Sequence, residues 1–187
     1  MEILIETERL LIRELLPSDD EGMFEMDADP AVNWYVGKRP VTTIEESRKV
    51  IDFVREQYIA NGIGRWAVIE KATGGFVGWL GFKWMKTTVN GQTDFIDFGY
   101  RFIQKYWGKG YATEGSKAAL EYGFKQLKYN KVSAMTHVDN LASRRVLEKI
   151  GFTFIGLFNY VQTQANDWQK PNEPATWYEL VNPYTVD

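Results

Sequence analysis

Hydrophobic and polar positions change period several times along the chain, and each change marks an expected element. "RLLIREL" (9–15) reads as a first strand, and Pro17-Ser18-Asp19-Asp20 as a turn feeding a helix cap. The helix that follows is expected to run through about Ala28 and to stop before Asp29-Pro30, because proline cannot continue it. From Thr43, residues Ile44, Ile51, Val54 and Tyr58 keep one helical face, and Asn61-Gly62 supplies the stop. "RWAVIEK" (65–71), "ATGG" and "FVGWLGFKWM" (76–85) read as strand, turn and strand, and "DFIDFGYRF" (94–102) as a further strand. Beyond it, Ala112, Leu120, Phe124 and Leu127 form one helical stripe. "KVSAMT" (131–136) is a strand, "LASRRVLEKI" (141–150) a short helix, and Gly151 its stop. "FTFIGLFNYV" (152–161) and "ATWYELV" (175–181) make a final antiparallel pair, with 162–175, including Pro171 and Pro174, as the loop between them. Helices inserted among consecutive strands predict an α/β domain of three layers.

Composition narrows the picture. A chain of 187 residues without repeat, low-complexity tract or linker suits a single domain over 1–187. Hydrophobic residues at 44% are enough to form a packed core. The net charge of -3 argues against a nucleic-acid binder that relies on a broad basic surface. With no cysteine, disulfides, thiolate metal sites and cysteine nucleophiles are excluded. The opening "MEILIETERLLIREL" mixes charged and apolar side chains unlike a signal peptide, and no run approaches the roughly 20 apolar residues of a membrane helix. A cytoplasmic location without membrane contact is the default expectation.

"KYWGKGYATEG" (105–115) places Gly108 and Gly110 between a strand and a helix start. Such a junction exposes unpaired backbone amides at the positive end of the helix dipole, and glycine lets an anion approach without a Cβ in the way. Lys105 and Lys109 add charge. A G-x-G alone is equally an ordinary loop. The dinucleotide pattern G-x-G-x-x-G is not met, since Thr113 stands at its third glycine, and the phosphate-loop pattern G-x-x-x-x-G-K-[ST] is absent.

The surroundings of this loop are more specific. "DFGYRFIQKYWGKGYATEG" followed by "HVDNLASRRVLEKIGF" resembles the GNAT superfamily, the acetyl-CoA-dependent N-acetyltransferases. The family's [QR]-x-x-G-x-[GA] loop corresponds to Lys105–Gly110, with lysine at the first place. "ETERLLIREL", the "DP" after the first helix and the N-x-x-S-x-x-x-x-E-K-x-G-F run from Asn140 are most similar to the ribosomal-protein N-terminal acetyltransferases of the RimJ/RimL type. The resemblance implies a mixed, mostly antiparallel sheet with splayed central strands flanked by helices. It also implies acetyl-CoA as acetyl donor, no metal, and an acceptor amine on a protein N-terminus or a small molecule.

Site residues follow from the same resemblance. Amides over Trp107, Gly108, Lys109, Gly110, Tyr111, Ala112 and Thr113 would wrap the pyrophosphate. Main-chain groups of Tyr100, Arg101 and Phe102 would run beside the pantetheine arm, and an amide near Tyr100 or Arg101 would meet the oxyanion. Asn140 would bond that arm; from the residues alone it is a helix N-cap. Asp97, two residues before Gly99-Tyr100, is the implied base, or else a solvated or ion-paired strand residue. The family tyrosine that protonates the leaving thiolate is replaced by Leu147, so Ser143 is the implied donor to the sulfur, or else a polar residue of the helix's first turn. Trp34 and Tyr35 fall on the family's acceptor loop. The sole histidine, His137, lies outside the motif positions and is expected to be structural or exposed. The aromatic C-terminal segment suits a homodimer or simply the last strand pair. Leucine at position 147 keeps a non-catalytic coenzyme-A-binding module open as the alternative, while a plain nucleotide-binding protein is disfavoured by the incomplete fingerprints.

Overall fold

The computed structural model describes residues 3–160 and 173–184. Its strands are β1 (Ile3–Glu6), β2 (Leu10–Glu14), β3 (Arg65–Glu70), β4 (Phe76–Met85), β5 (Phe95–Phe102), β6 (Lys131–His137), β7 (Thr153–Tyr160) and β8 (Glu173–Val181). Its helices are α1 (Asp20–Asp27), α2 (Pro30–Asn33), α3 (Ile44–Asn61), α4 (Tyr111–Lys125) and α5 (Leu141–Lys149). All eight strands join one sheet in the order β1-β2-β3-β4-β5-β6-β8-β7.

Alternation along the strands divides the core in two. Leu10, Ile12, Val68, Leu80, Phe82 and Phe98 pack with Leu120 and Phe124 of α4 and Leu147 of α5. Leu15, Ala67 and Ile69 pack on the other face with Met23 and Met26 of α1 and Val50, Ile51 and Val54 of α3. Helix, sheet, helix is the three-layer arrangement that the pattern predicts.

The pairing of β5 with β6 positions the site. The other strand neighbours are antiparallel, but α4 carries the chain across so that β6 returns parallel to β5. The two are in register only at Asp97 and Ser133. Beyond that point β5 continues to Phe102 and β6 to His137 without pairing to each other, and the sheet opens as a wedge.

Several boundaries differ from the sequence expectation. β1 was not anticipated; the amide of Thr7 closes its turn onto the Leu10 carbonyl (2.9 Å). Pro30 does end α1, yet it also starts α2, because a missing N–H is harmless at the first helical position. The Asp29 carboxylate caps that turn by accepting from the Ala31 amide (2.8 Å). Leu127 lies past the end of α4, though it still packs against the core. β8 begins at Glu173, so Pro174 is in a strand, where its carbonyl accepts from the Val138 amide (3.1 Å). The rest of the expected loop, residues 162–172, lies outside the described residues.

Candidate active site

The open wedge holds a cleft of about 700 Å³. It brings together Trp34 and Tyr35 after α2, and Tyr100, Arg101 and Phe102 at the end of β5. Trp107, Gly108, Gly110, Tyr111, Ala112 and Thr113 line it from the loop and the first turn of α4, and Asn140 and Ser143 from the start of α5. Of the site residues expected from the resemblance, Lys109 and Asp97 are not in the lining.

The glycine loop leaves backbone amides open at the start of α4. Gly108 and Gly110 take φ of +74° and +83°, a region strained for any residue with a Cβ. Gly110 caps α4 without a side chain, and the first helical bond runs from the Glu114 amide to the Gly110 carbonyl (3.0 Å). The amides of Tyr111, Ala112 and Thr113 therefore have no helical carbonyl to meet. Glu114, the acidic residue of this turn, points away from them. Its carboxylate accepts from Thr7 Oγ1 (2.6 Å) and Arg9 Nε (2.6 Å). Burial works against its charge, but these bonds hold it below the usual carboxylate range. Arg9 also donates to the Lys109 carbonyl (2.9 Å) and lies over the Tyr111 ring at 4.6 Å. Arg9 thus clamps the loop from β2's turn, a role the sequence did not reveal. Orphan amides, a missing Cβ and a neutralised carboxylate together fit a pyrophosphate.

At the other wall, Asn140 Oδ1 accepts from the Ser143 amide (3.2 Å), the capping arrangement expected from the residues alone. The Tyr100 hydroxyl donates to the Ser143 carbonyl (2.9 Å) and lies 3.0 Å from Ser143 Oγ. Burial pushes the Tyr100 phenol up, so it keeps its proton. With that proton on the carbonyl, the serine hydroxyl is left to donate to the Tyr100 oxygen, and donating into the cleft exchanges that bond for another. Leu147, at the family's tyrosine place, is 2% exposed and faces the core.

Asp97 lies apart from the cleft lining. Its carboxylate is buried in an ion pair with Arg65, whose guanidinium also donates to the carbonyls of Gly81 and of Asp97 itself. Burial pushes the Asp97 carboxyl up against the pull of Arg65. The structure thus gives it the ion-paired strand place and does not bring it to the cleft. A second buried pair, Asp27 with Arg101 (2.6 Å), ties α1 to the end of β5, and burial raises the Asp27 carboxyl as well. His137 is at the mouth of the wedge, with its ring 5.2 Å from that of Tyr35. Among the described residues no group of three or more His, Cys, Asp or Glu could hold a metal ion, and no helix is long and apolar enough to cross a membrane.

The chain is similar to known proteins in sequence and in fold. The model of the acetyltransferase (GNAT) domain matches residues 9–153. The chain is 32% identical over 165 residues to the uncharacterized N-acetyltransferase YnaD of Bacillus subtilis, covering 88% of this chain and 91% of that one. A GNAT-family acetyltransferase from Bacillus anthracis superposes with a TM-score of 0.76 at 29% identity, over 95% of this chain and 98% of that one. RimL, a ribosomal L7/L12 α-N-protein acetyltransferase solved with coenzyme A, shares the fold with a TM-score of 0.77 at 16% identity, over 96% and 98%.

Proposed function

Because this chain belongs to the GNAT acetyltransferase family and is an acetyl-CoA-dependent acyltransferase, we propose that it acetylates a primary amine in the wedge between β5 and β6. The acceptor is a protein N-terminal α-amino group of the ribosomal-protein type or a small-molecule amine. The observation that carries the reading is one cleft lined by the loop amides, the free end of β5 and the start of α5.

In this reading the amides of 107–113 hold the pyrophosphate, and Tyr100, Arg101, Phe102 and Asn140 hold the pantetheine arm. Acetyl-CoA supplies an activated acetyl group as a thioester. Backbone amides of β5 beyond its pairing with β6 donate to the thioester oxygen. Ser143 Oγ turns from Tyr100 to donate to the departing sulfur. Trp34 and Tyr35 flank the acceptor. Asp97, spent on Arg65, is left out as a base.

The test is amine-dependent thiol release from acetyl-CoA across N-terminal peptides, polyamines, amino acids and aminoglycosides, with the product identified by mass spectrometry. An acetylated amine is the expected result. Binding of acetyl-CoA without thiol release for any amine would instead make the chain a coenzyme-A-binding module.

A further inference from the structure

Once Asp97 is committed to Arg65, the cleft has no carboxylate or imidazole in its lining among the described residues. A second, smaller cavity shares Trp34 and Tyr35 with it and opens alongside. Its volume is about 20 Å³, which is room for one water-sized group. It is lined by Trp34, Tyr35, Tyr160, Lys38, His137 and Glu173.

The polar contacts there are ordered. His137 Nδ1 accepts from the Asp139 amide (3.1 Å), which leaves the ring proton on Nε2. Nε2 faces Glu173 Oε2 at 3.1 Å. The Glu173 side chain is 32% exposed and that of His137 14%. Glu173 therefore has one oxygen fixed by a half-buried ring and the other available to a ligand. The walls include the aromatic rings of Trp34, Tyr35 and Tyr160, and aromatic rings attract cations. The Trp34 ring already carries the Lys38 ammonium at 5.0 Å, so the attraction left for a ligand cation comes from Glu173 and the Tyr35 ring.

We propose that this cavity is the acceptor's ammonium subsite, with Glu173 receiving the primary ammonium and its proton, and His137 positioning Glu173. The proposal rests on the reading of the wedge as an acetyl-transfer cleft, and adds to it the cationic form of the acceptor and the residue that neutralises it. The step balances. One ammonium proton passes to Glu173 and on to solvent, to which this side chain is open. The amine nitrogen then bonds to the acetyl carbon and the carbon–sulfur bond breaks. The second nitrogen proton ends on the thiolate sulfur. Coenzyme A and an acetamide are formed.

The experiment is calorimetric titration of the chain saturated with coenzyme A, using benzylamine, benzyl alcohol and the peptide Phe-Gly-Gly as probes. Saturation itself is measured first; if coenzyme A fails to bind the wild type, the reading of the wedge fails rather than this one. Benzylamine, the peptide or both are expected to bind the wild type and to weaken about 10-fold or more in Glu173→Gln, while benzyl alcohol is unaffected. His137→Asn is expected to weaken the ammonium probes less than Glu173→Gln does. Which of benzylamine and the peptide binds tells a small amine from a protein N-terminus. Equal affinity of the ammonium probes for wild type and Glu173→Gln, an equal loss for benzyl alcohol, or no ammonium binding to the saturated wild type would overturn the proposal.

Discussion

Arg65 on β3 reaches past β4 to Asp97 on β5, and it can do so because residue 99 is glycine. A Cβ there would sit 2.7 Å from Arg65 Nη2. The pair is buried, with side chains 15% and 10% exposed. Asp97→Asn would strand a guanidinium that cannot lose its proton. The expected result is a loss of about 3–5 kcal/mol in urea unfolding, with acetyl-CoA affinity kept in the folded fraction. Unchanged stability, together with turnover lost near neutrality and regained at high pH, would restore Asp97 as a base. The converse variant, Arg65→Met, leaves a carboxyl that can take up a proton. Burial then raises it without opposition, and the native state binds more protons than the unfolded one. Stability in Arg65→Met should therefore be greatest at acidic pH and should fall as pH rises from the ordinary carboxylate range through the raised pKa. An acid two positions before Gly99-Tyr100 was visible in the sequence. Its partner, 32 residues away and two strands over, was not. Nor was there any local signal that joined His137 to Tyr35 and Glu173, since the first contact brings the residues after α2 to the end of β6 and the second needs β8 beside β6.

At the scale of elements, α4 and α5 meet the cleft with opposite kinds of end. α4 starts on a bare glycine and leaves its amides open, whereas α5 starts on Asn140 and is capped from within. Arg9 should matter to the first. Arg9→Ala frees the Lys109 carbonyl and leaves Glu114's charge beside the anion site, so acetyl-CoA should bind about 10-fold less tightly, the 1.4 kcal/mol of one organised hydrogen bond. Unchanged affinity by calorimetry would show that the loop holds its shape unaided. Ser143 should matter to the second. Ser143→Ala is expected to lower kcat by about 10-fold to 100-fold with little change in acetyl-CoA affinity. Tyr100→Phe, which keeps the serine hydroxyl, should cost less. Equal kcat in Ser143→Ala and the wild type, with chemistry rate-limiting, would reduce Ser143 to a helix residue. Periodicity located both helices and most strands because one face of each is buried. It missed α2, where Pro30 acts as a stop for one helix and a start for the next. It also carried the α4 stripe too far, as Leu127 is held by the core and not by helical bonds.

For the whole molecule, the wedge depends on one parallel pairing in an otherwise antiparallel sheet. Alternation and helix insertion made three layers legible. The separation of β5 from β6 was expected only through the family resemblance, because no local preference tells two strands to part after one registered pair. A ligand lodged there links both halves of the sheet, so acetyl-CoA should raise the unfolding free energy by mass action, by about 2.7 kcal/mol at 100 times its Kd.

In the proposed complex the 107–113 loop holds the donor's pyrophosphate against the start of α4. Gly110→Glu tests it most directly. Residue 110 sits at φ +83° with Arg9 Nη2 3.4 Å from where a Cβ would stand, so a larger residue meets a constrained loop and a carboxylate meets the phosphates. The measurement is calorimetric titration of acetyl-CoA into wild type and into Gly110→Glu shown to be folded by circular dichroism. Binding to the wild type is expected, and at least about 10-fold weaker binding to the variant. Equal affinity in the two folded proteins would contradict it.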